Sequence, residues 1–418
     1  MLTTTLSMRG ADDAPSATIV PALPASSRGS TVARRDRMRH VALLIETSGS
    51  YGRGLLRGIA KYNRQHGNWS IYLRPLGLSD PPPSWLNDWD GDGIITRIAS
   101  PQMAELAKSS RIPMVNVRGA ATDMPVPTVT VDNAQVAKLA AEHLLERGLK
   151  HFGFCGQPAG VNSALDLRAE HFQKSIIRAG HKCEMYTPRK TRGTSWEDEQ
   201  DNLARWIASL PRPWGVLACN DERGLQLLDA CRRVGGQGPE EIAVVGGDND
   251  VPLYEMTIPP LTSIDVNAQA VGYQAASMLD RMMEGRSAPT TAVKLPPRGV
   301  VARRSTDVTA SDDEDVCRAL RFIEERACQG LQAAEVLAHL GMSRASLQQR
   351  MKAVTGRTIH REIQRVRLTR AKNLLASGDL TIKQVARESG FASVQYMTRV
   401  FRDLVGDTPA QYRRKRSV

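Results

Sequence analysis

The chain has 418 residues, with 56 Lys and Arg against 44 Asp and Glu, a formal net charge of +12. Hydrophobic residues make up 41% and charged residues 24%, a globular balance that excludes wholesale disorder, and the length suits two to three domains. No apolar run approaches the roughly 18 residues that span a bilayer. The six cysteines form no C-x-x-C pair, so a disulfide framework and a structural zinc are not expected and a reducing cytoplasm fits.

Residues 1–38 mix Ala, Ser, Thr, Pro, Asp and Arg without periodicity and read as a disordered tail, with no apolar core long enough for a secretory signal. From His40 the pattern becomes α/β. RHVALLIE is a compact apolar strand, YGRGLLRGIAKYNRQ a helix, WSIYLRPL a strand, and PPPSWLNDW a loop or short helix. DGIITRI and IPMVNVRG are strands around the helix MAELAKSS, and VDNAQVAKLAAEHLLERG is an amphipathic helix. HFGFCG, WGVLACN and IAVVGGDND are further strands, and SALDLRAEHFQKSIIRAG, DERGLQLLDACRRVGG and VNAQAVGYQAASMLDRMMEG are helices. TAVKLPPRGVVARRST closes this half in extended structure. Alternating strands and helices imply a doubly wound, mostly parallel sheet, which places ligands outside the carboxyl ends of its strands.

After Arg303 the chain turns small, polar and acidic, giving a linker over 304–313 between a domain at 39–303 and a second at 314–418. Residues 41–313 carry 30 basic and 31 acidic groups, whereas 314–418 carry 20 and 10, a local excess of +10. Arginine dominates that excess, and Arg is the better reader of phosphate and guanine.

This last segment is all helical and repeats itself at an offset of 50 residues. Leu347, Met351 and Val354 correspond to Met397, Phe401 and Leu404, both sets lying on one helix face. Ser343 and Ser393 are placed to cap these helices, each preceded by a shorter helix and a turn with Gly341 or Gly390. Two helix-turn-helix units joined by IHREIQRVRLTRAKNLLAS result. The segment ARESGFASVQYMTRVFRDLVGDTPAQYRR resembles the signature of the AraC/XylS family at Ala386, Gly390, Phe391, Phe401, Arg402, Gly406, Pro409, Tyr412 and Arg413. The resemblance implies a seven-helix domain that sets two recognition helices into the major groove of double-stranded DNA. By match to the family's base-reading positions, Arg344, Ala345, Gln348 and Gln349 of the first helix and Val394, Gln395, Thr398 and Arg399 of the second are the candidates for base contact. Arg350, Lys352, Arg402, Arg413 and Arg414 are candidates for phosphate or water.

Residues 40–302 resemble the periplasmic-binding-protein-like, two-lobed sensor of LacI-type regulators, through VTVDNAQVAKLAAEHLLERG, LDLRAEHF, LACNDERGLQLL and IAVVGGDND. With VARRSTD at the junction, the chain is similar to the XylR-like xylose-operon regulators. That resemblance implies a homodimeric transcription factor, an activator working with RNA polymerase, whose effector is a small carbohydrate, xylose or a related sugar. A sugar site needs carboxylates, amides and guanidinium groups that bond hydroxyls in pairs. Asp248 matches the family's ligand-binding aspartate and Arg168 its sugar-binding arginine. Asn220, Asp221, Ser48, Ser50, Tyr51, Arg53 and Asp132 with Asn133 sit at other strand ends. Asn220, Asp221 and Asp132 serve equally well as helix caps, and Arg168 as a partner of Asp166 or Glu170. No helix clearly follows Asp248, which favours ligand over cap. Gly52 and Gly54 belong to no phosphate loop, and His143 and His151 read as surface groups. No catalytic constellation, cofactor or metal site is expected. A sugar-acting enzyme or a solute-binding receptor on the same α/β fold remains the alternative.

Overall fold

The computed structural model describes residues 37–74, 81–97, 101–109, 111–119, 126–188, 195–234, 242–307, 313–377 and 380–416. The tail assignment therefore lies outside the described residues except at positions 37 and 38.

The α/β half is built as two lobes. In the first, β1 (Arg39–Leu44), β2 (Trp69–Leu73), β3 (Gly93–Thr96) and β4 (Met114–Asn116) are parallel in the order β2-β1-β3-β4. Two short strands, β5 (Val129–Val131) and β11 (Val293–Leu295), pair beside it. The second lobe holds β6 (His151–Cys155), β7 (Cys183–Tyr186), β8 (Trp214–Ala218), β9 (Ile242–Gly247), β10 (Thr262–Asp265) and β12 (Gly299–Val301). Their order is β12-β10-β9-β8-β6-β7, and β12 alone among them runs antiparallel to its neighbour. Strands β8 and β9 are buried along their whole length. That explains their unbroken apolar runs, because helices cover both faces of such a sheet.

The chain passes between lobes where β5 leads into α3 (Asn133–Leu145), β10 into α8 (Ala268–Met283), and β11 into β12. Helix α8 returns to the first lobe and lies against α1 (Ser50–His66). The glycines of YGRGLLRG make this crossing possible. A Cβ on Gly58 would sit 2.0 Å from the Gln269 carbonyl oxygen, and one on Gly272 would sit 2.1 Å from that of Leu55. A Cβ on Gly52 would strike the Glu46 carbonyl, so these glycines serve close packing.

Seven helices follow: α9 (Glu314–Arg326), α10 (Ala333–Leu340), α11 (Arg344–Thr355), α12 (Ile359–Ser377), α13 (Ile382–Glu388), α14 (Val394–Val405) and α15 (Pro409–Arg416). They enclose two small cores. Val316, Ile323, Leu347, Met351 and Ile363 fill one, and Leu368, Leu375, Phe391, Met397 and Phe401 fill the other. Helix α12 supplies both, its first half to one and its second half to the other. Ser343 accepts from the Ser346 amide and Ser393 from the Tyr396 amide, so both repeat serines cap their helices. Gly341, Gly356, Gly390 and Gly406 all end helices at φ between 66° and 79°, a left-handed turn that costs glycine nothing.

The linker assignment needs correction at both ends. Arg304–Thr306 is a single helical turn with Ser305 and Thr306 fully buried, and Ser305 donates to the Val244 carbonyl of β9. Asp313 caps α9 through the Val316 amide. Residues 308–312 lie outside the described residues, and 38–418 form one compact unit.

The α1–α8 crossing yields a stability test. Gly58→Ala forces backbone apart and should cost about 1–3 kcal/mol, the usual penalty of overpacking. Thermal denaturation should register this as a drop of several degrees in Tm, and an unchanged Tm would show that the crossing can relax.

Candidate functional site

A cavity of about 640 Å³ opens between the lobes, at the carboxyl ends of the strands. Polar residues line it just where each strand stops. Glu46, Ser48, Tyr51 and Arg53 follow β1, Arg97 follows β3, and Arg118 follows β4. Asn133 follows β5, Gln157 follows β6, Asn220 and Asp221 follow β8, and Asp248 follows β9.

Arg168 organises the floor. It extends from α4 (Ser163–Arg178) with only 4% of its surface exposed. Its Nε donates to Asn133 Oδ1 at 3.0 Å, and a terminal nitrogen donates to the Cys219 carbonyl at 2.6 Å. The alternative partners are occupied elsewhere: Asp166 accepts from the Gly160 amide, and Glu170 pairs with Lys174. A Cβ on Gly247 would lie 2.7 Å from the Arg168 guanidinium, and one on Gly246 would collide with Asp221. The paired glycines of AVVGGD thus make room for two charged side chains.

Asp248 sits beside that guanidinium in a rare backbone conformation, φ 120°, followed by Asn249 at φ 55°. Such strain persists only when neighbours enforce it. The Asp248 amide donates to the Ile264 carbonyl, the Asn249 amide to Ser263 Oγ, and Arg303 donates to Asn249 Oδ1 at 2.6 Å. Burial pushes the Asp248 carboxyl up to about 7, against the pull of the Arg168 charge. A short helix, α7 (Val251–Met256), does follow, contrary to the sequence reading. Its N-cap position is Asp250, so Asp248 is still not a cap.

Nine of the sequence candidates, Asp248, Arg168, Asn220, Asp221, Ser48, Ser50, Tyr51, Arg53 and Asn133, line the cavity. Asn220 also caps α6 (Asp221–Arg233) through the Arg223 amide. Asp221 is 1% exposed, and its two oxygens accept from Ser263 Oγ and the Asp250 amide. Asp132 does not line the cavity: its carboxylate accepts from the amides of Ala134 and Gln135 and caps α3. The sequence reading missed Glu46, Arg97, Arg118 and Gln157. Arg97 pairs with Glu46 and lies 4.9 Å above the Tyr51 ring. Burial raises the Tyr51 hydroxyl above its ordinary range, so it stays a donor. Each missed residue stands one or two positions past an apolar strand, which is the signal that would have found it.

On the helical domain, Arg344, Ala345 and Gln349 are exposed and Gln348 is half-buried at the start and middle of α11. Gln395 and Arg399 are exposed on α14, with the Arg399 guanidinium 5.3 Å from the Tyr396 ring. Val394 and Thr398 are half-buried, Val394 packs on the second core, and Thr398 Oγ1 donates back to the Val394 carbonyl. Lys352, Arg402 and Arg414 are exposed. Arg350 is not free for phosphate: it pairs with Asp313 and, at 3.0 Å, with Asp315. Arg413 donates to the Leu380 carbonyl. His151 is exposed as expected, but His143 is 7% exposed, with Nε2 3.0 Å from Thr306 Oγ1.

Three family models match the chain: an XylR N-terminal domain over residues 40–134, a periplasmic binding protein-like domain over 141–306, and a helix-turn-helix domain over 336–415. The xylose operon regulatory protein of Haemophilus influenzae is 31% identical over 379 residues, spanning 89% of this chain and 97% of that protein. The protein of the same name from Escherichia coli K12 is 30% identical over 382 residues, 90% of this chain and 97% of its own. A solved structure of a xylose-binding transcription activator, xylR, superposes with a TM-score of 0.59 at 29% identity, covering 92% of this chain and 100% of its own.

The Asp248 environment gives a pH dependence. An unfolded aspartate titrates near its ordinary 3.8, the folded one at about 7. Between those values the folded chain holds the proton more tightly, so raising the pH through this window costs stability. Asp248→Asn removes that cost. The Tm of the variant relative to the parent should climb from about pH 4.5 to about pH 7.5, and a flat difference would contradict a protonated, buried Asp248.

Proposed function

The chain belongs to the family of the xylose operon regulatory proteins, and from that premise we propose that it is a DNA-binding transcription activator controlled by a small sugar, xylose or a close relative. In this reading it works in the cytoplasm as a homodimer, recruits RNA polymerase, and turns over no substrate. Two of the cleft's carboxylates are committed to structure, Asp221 to Ser263 and the Asp250 amide and Glu46 to Arg97, which leaves neither free for acid–base work.

The observation that carries the proposal is the course of α3. Its first residue, Asn133, lines the cleft and holds Arg168. Its far end rests on the helical domain. The Glu146 carbonyl accepts from the Arg357 guanidinium, between α11 and α12, at 2.9 Å. Arg147, one residue further, donates to the Thr306 carbonyl, and its Nη1 lies 3.2 Å from His143 Nδ1. His143 is buried between Arg147 and Thr306, and burial holds its pKa well below the ordinary range, so it stays neutral. Thr306 Oγ1 in turn meets Thr262 Oγ1 of β10 at 2.9 Å. On the other side Arg357 and Arg365 both pair with Glu362, itself 3% exposed. A sugar that draws the lobes together pulls on Asn133 and moves one rigid helix against this network. The effector shifts the DNA-competent arrangement only by as much as it binds that arrangement more tightly.

The decisive experiment is isothermal titration of the full chain with D-xylose, paired with fluorescence anisotropy on promoter DNA with and without sugar. Saturable sugar binding without turnover, coupled to tighter DNA binding, is the expected outcome. Turnover of the sugar, or DNA affinity indifferent to it, would overturn the proposal. Arg357→Lys keeps the charge facing Glu362 but loses the planar fork that reaches Glu146. Sugar affinity should change little in this variant, while the sugar dependence of DNA binding falls. At the DNA, Arg399→Ala should cost about 1–3 kcal/mol of preference at one base position. A uniform loss over all sequences would make Arg399 a phosphate contact.

A further inference from the structure

The second recognition helix, α14, carries an arrangement that the first, α11, lacks. At the fifty-residue offset of the repeat, Tyr396 and Arg399 stand where the first unit has Ser346 and Gln349. The first unit folds around its own core with Ser346 exposed, so a helix-turn-helix does not itself require a ring at this place. The Tyr396 ring is fixed from two directions. It meets Phe391 edge to face, with centroids 6.0 Å apart. Its hydroxyl accepts from Gln364 Nε2 at 2.7 Å and lies 3.2 Å from His360 Nε2, both on the joining helix α12. The Arg399 guanidinium lies over this ring, 5.3 Å from its centroid and inside the roughly 6 Å reach of a cation–π contact. Among the described residues Arg399 has no carboxylate partner, and the exposed Asp403 further along α14 forms no ion pair with it. Arg350 shows the opposite case, since Asp313 and Asp315 take up its nitrogens. A carboxylate restrains an arginine by consuming its donors. An aromatic face restrains it through the charge distribution of the ring and leaves the N–H fork free.

We propose that Tyr396 is a positioning residue for DNA readout: its ring holds Arg399, donors free, for bidentate contact with a guanine in the major groove. The inference rests on the reading of Arg399 as a base contact. Bonding to O6 and N7 of guanine engages both arms of the guanidinium fork at once. An unrestrained arginine gives up rotamer freedom to reach that geometry, and a fixed ring removes part of this cost before DNA arrives. Because the Tyr396 hydroxyl is tied to α12, the guanidinium is held in register with the helix that joins the two units.

The test measures binding of the full chain, at fixed salt, to a duplex selected from a randomised pool and to every single-base-pair variant of that duplex. Arg399→Ala marks the base pair that Arg399 reads, expected to be G·C. At that pair Tyr396→Leu and Tyr396→Gln, which both remove the ring, should lower the preference about two- to fivefold, the worth of an exposed cation–π contact. Tyr396→Phe keeps the ring and its contact with Phe391, and should retain the preference within about twofold. In the Arg399→Ala background the ringless substitutions should change the preference at that pair no further. Melting curves establish that each variant is folded, and unfolding of both ringless variants would make Tyr396 a core residue and overturn the assignment. A loss spread evenly over all base pairs would overturn it too. Equal impairment of Tyr396→Phe and Tyr396→Leu would move the effect to the hydroxyl and remove the role of the ring. If Arg399→Ala itself weakens all sequences alike, the base-contact reading fails and takes this inference with it. A selective Arg399→Ala beside ringless variants of full preference removes the role of Tyr396 alone.

Discussion

A guanidinium group almost without water is the constraint around which the cleft is arranged. Arg168 is 4% exposed, yet it carries a full charge into a site lined by the ends of β8, β9 and α3. A buried charge of that kind is tolerable only when each donor finds an acceptor and a counter-charge lies close. The Cys219 carbonyl and Asn133 accept two of its hydrogen bonds, and Asp248, a carboxyl that burial pushes up to about 7, feels its charge, and each sits on a different element. The glycines at 246 and 247 are the sequence's adjustment to it, since side chains there would displace Asp221 and Arg168. The same guanidinium that a sugar would touch is therefore what positions the first residue of α3. Ligand geometry and helix position are two readings of one network, which is the physical condition for coupling between distant sites.

The far end of that helix is held as firmly as the near end. Strand β10 reads Thr-Ser-Ile-Asp, yet Thr262 and Ser263 are wholly buried. Their hydroxyls are paid back by Arg303, Thr306 and Asp221, so a polar strand sits in the core at no net loss. This is why the segment after Arg303 is not a free linker. Ser305 and Thr306 are the partners β10 requires, and the chain leaves the sensor only after supplying them.

What could be read beforehand follows from how strongly each element is written locally. Apolar strands such as β8 and β9, capped helices such as α3, and the fifty-residue repeat all announce themselves by pattern. Elements whose reason for existing is tertiary do not. Strand β10 hides its burial behind Thr and Ser, β7 is a half-exposed sheet edge, and α7 spans six residues with a proline in its first turn. Helix α5 (Trp196–Ala208) was missed despite a Ser195–Asp198 capping box, a local signal that was available. In the cleft, Asp248 and Arg168 could be placed from resemblance to LacI-type sensors. Arg97 and Arg118 carry only a positional signal, each a lone arginine just past a short strand, and the fold is what brings both to one wall. His143 was misjudged for a related reason: a helix end is ordinarily wet, but here Arg147 and the returning turn at Thr306 cover it.

The excess of +10 in the last 105 residues also changes meaning once the partners are known. Arg357 and Arg365 close on Glu362, Arg365 reaches Glu324, and Arg350 closes on Asp313 and Asp315. Arg367 spends its donors on the carbonyls of Ala327 and Leu331, and Arg413 on that of Leu380. These arginines hold the two helical cores together and bind the domain to the sensor, so they are not interchangeable with the exposed Arg344, Arg399, Arg402 and Arg414. Counterion release on a polyanion is governed by the cations that reach phosphate, at a slope of about 0.9 per contact, and not by net charge. The formal excess is thus not a measure of what DNA would feel. The remainder is structural charge, and at Arg357 that structural charge is the point where the sensor would act on the DNA-binding helices.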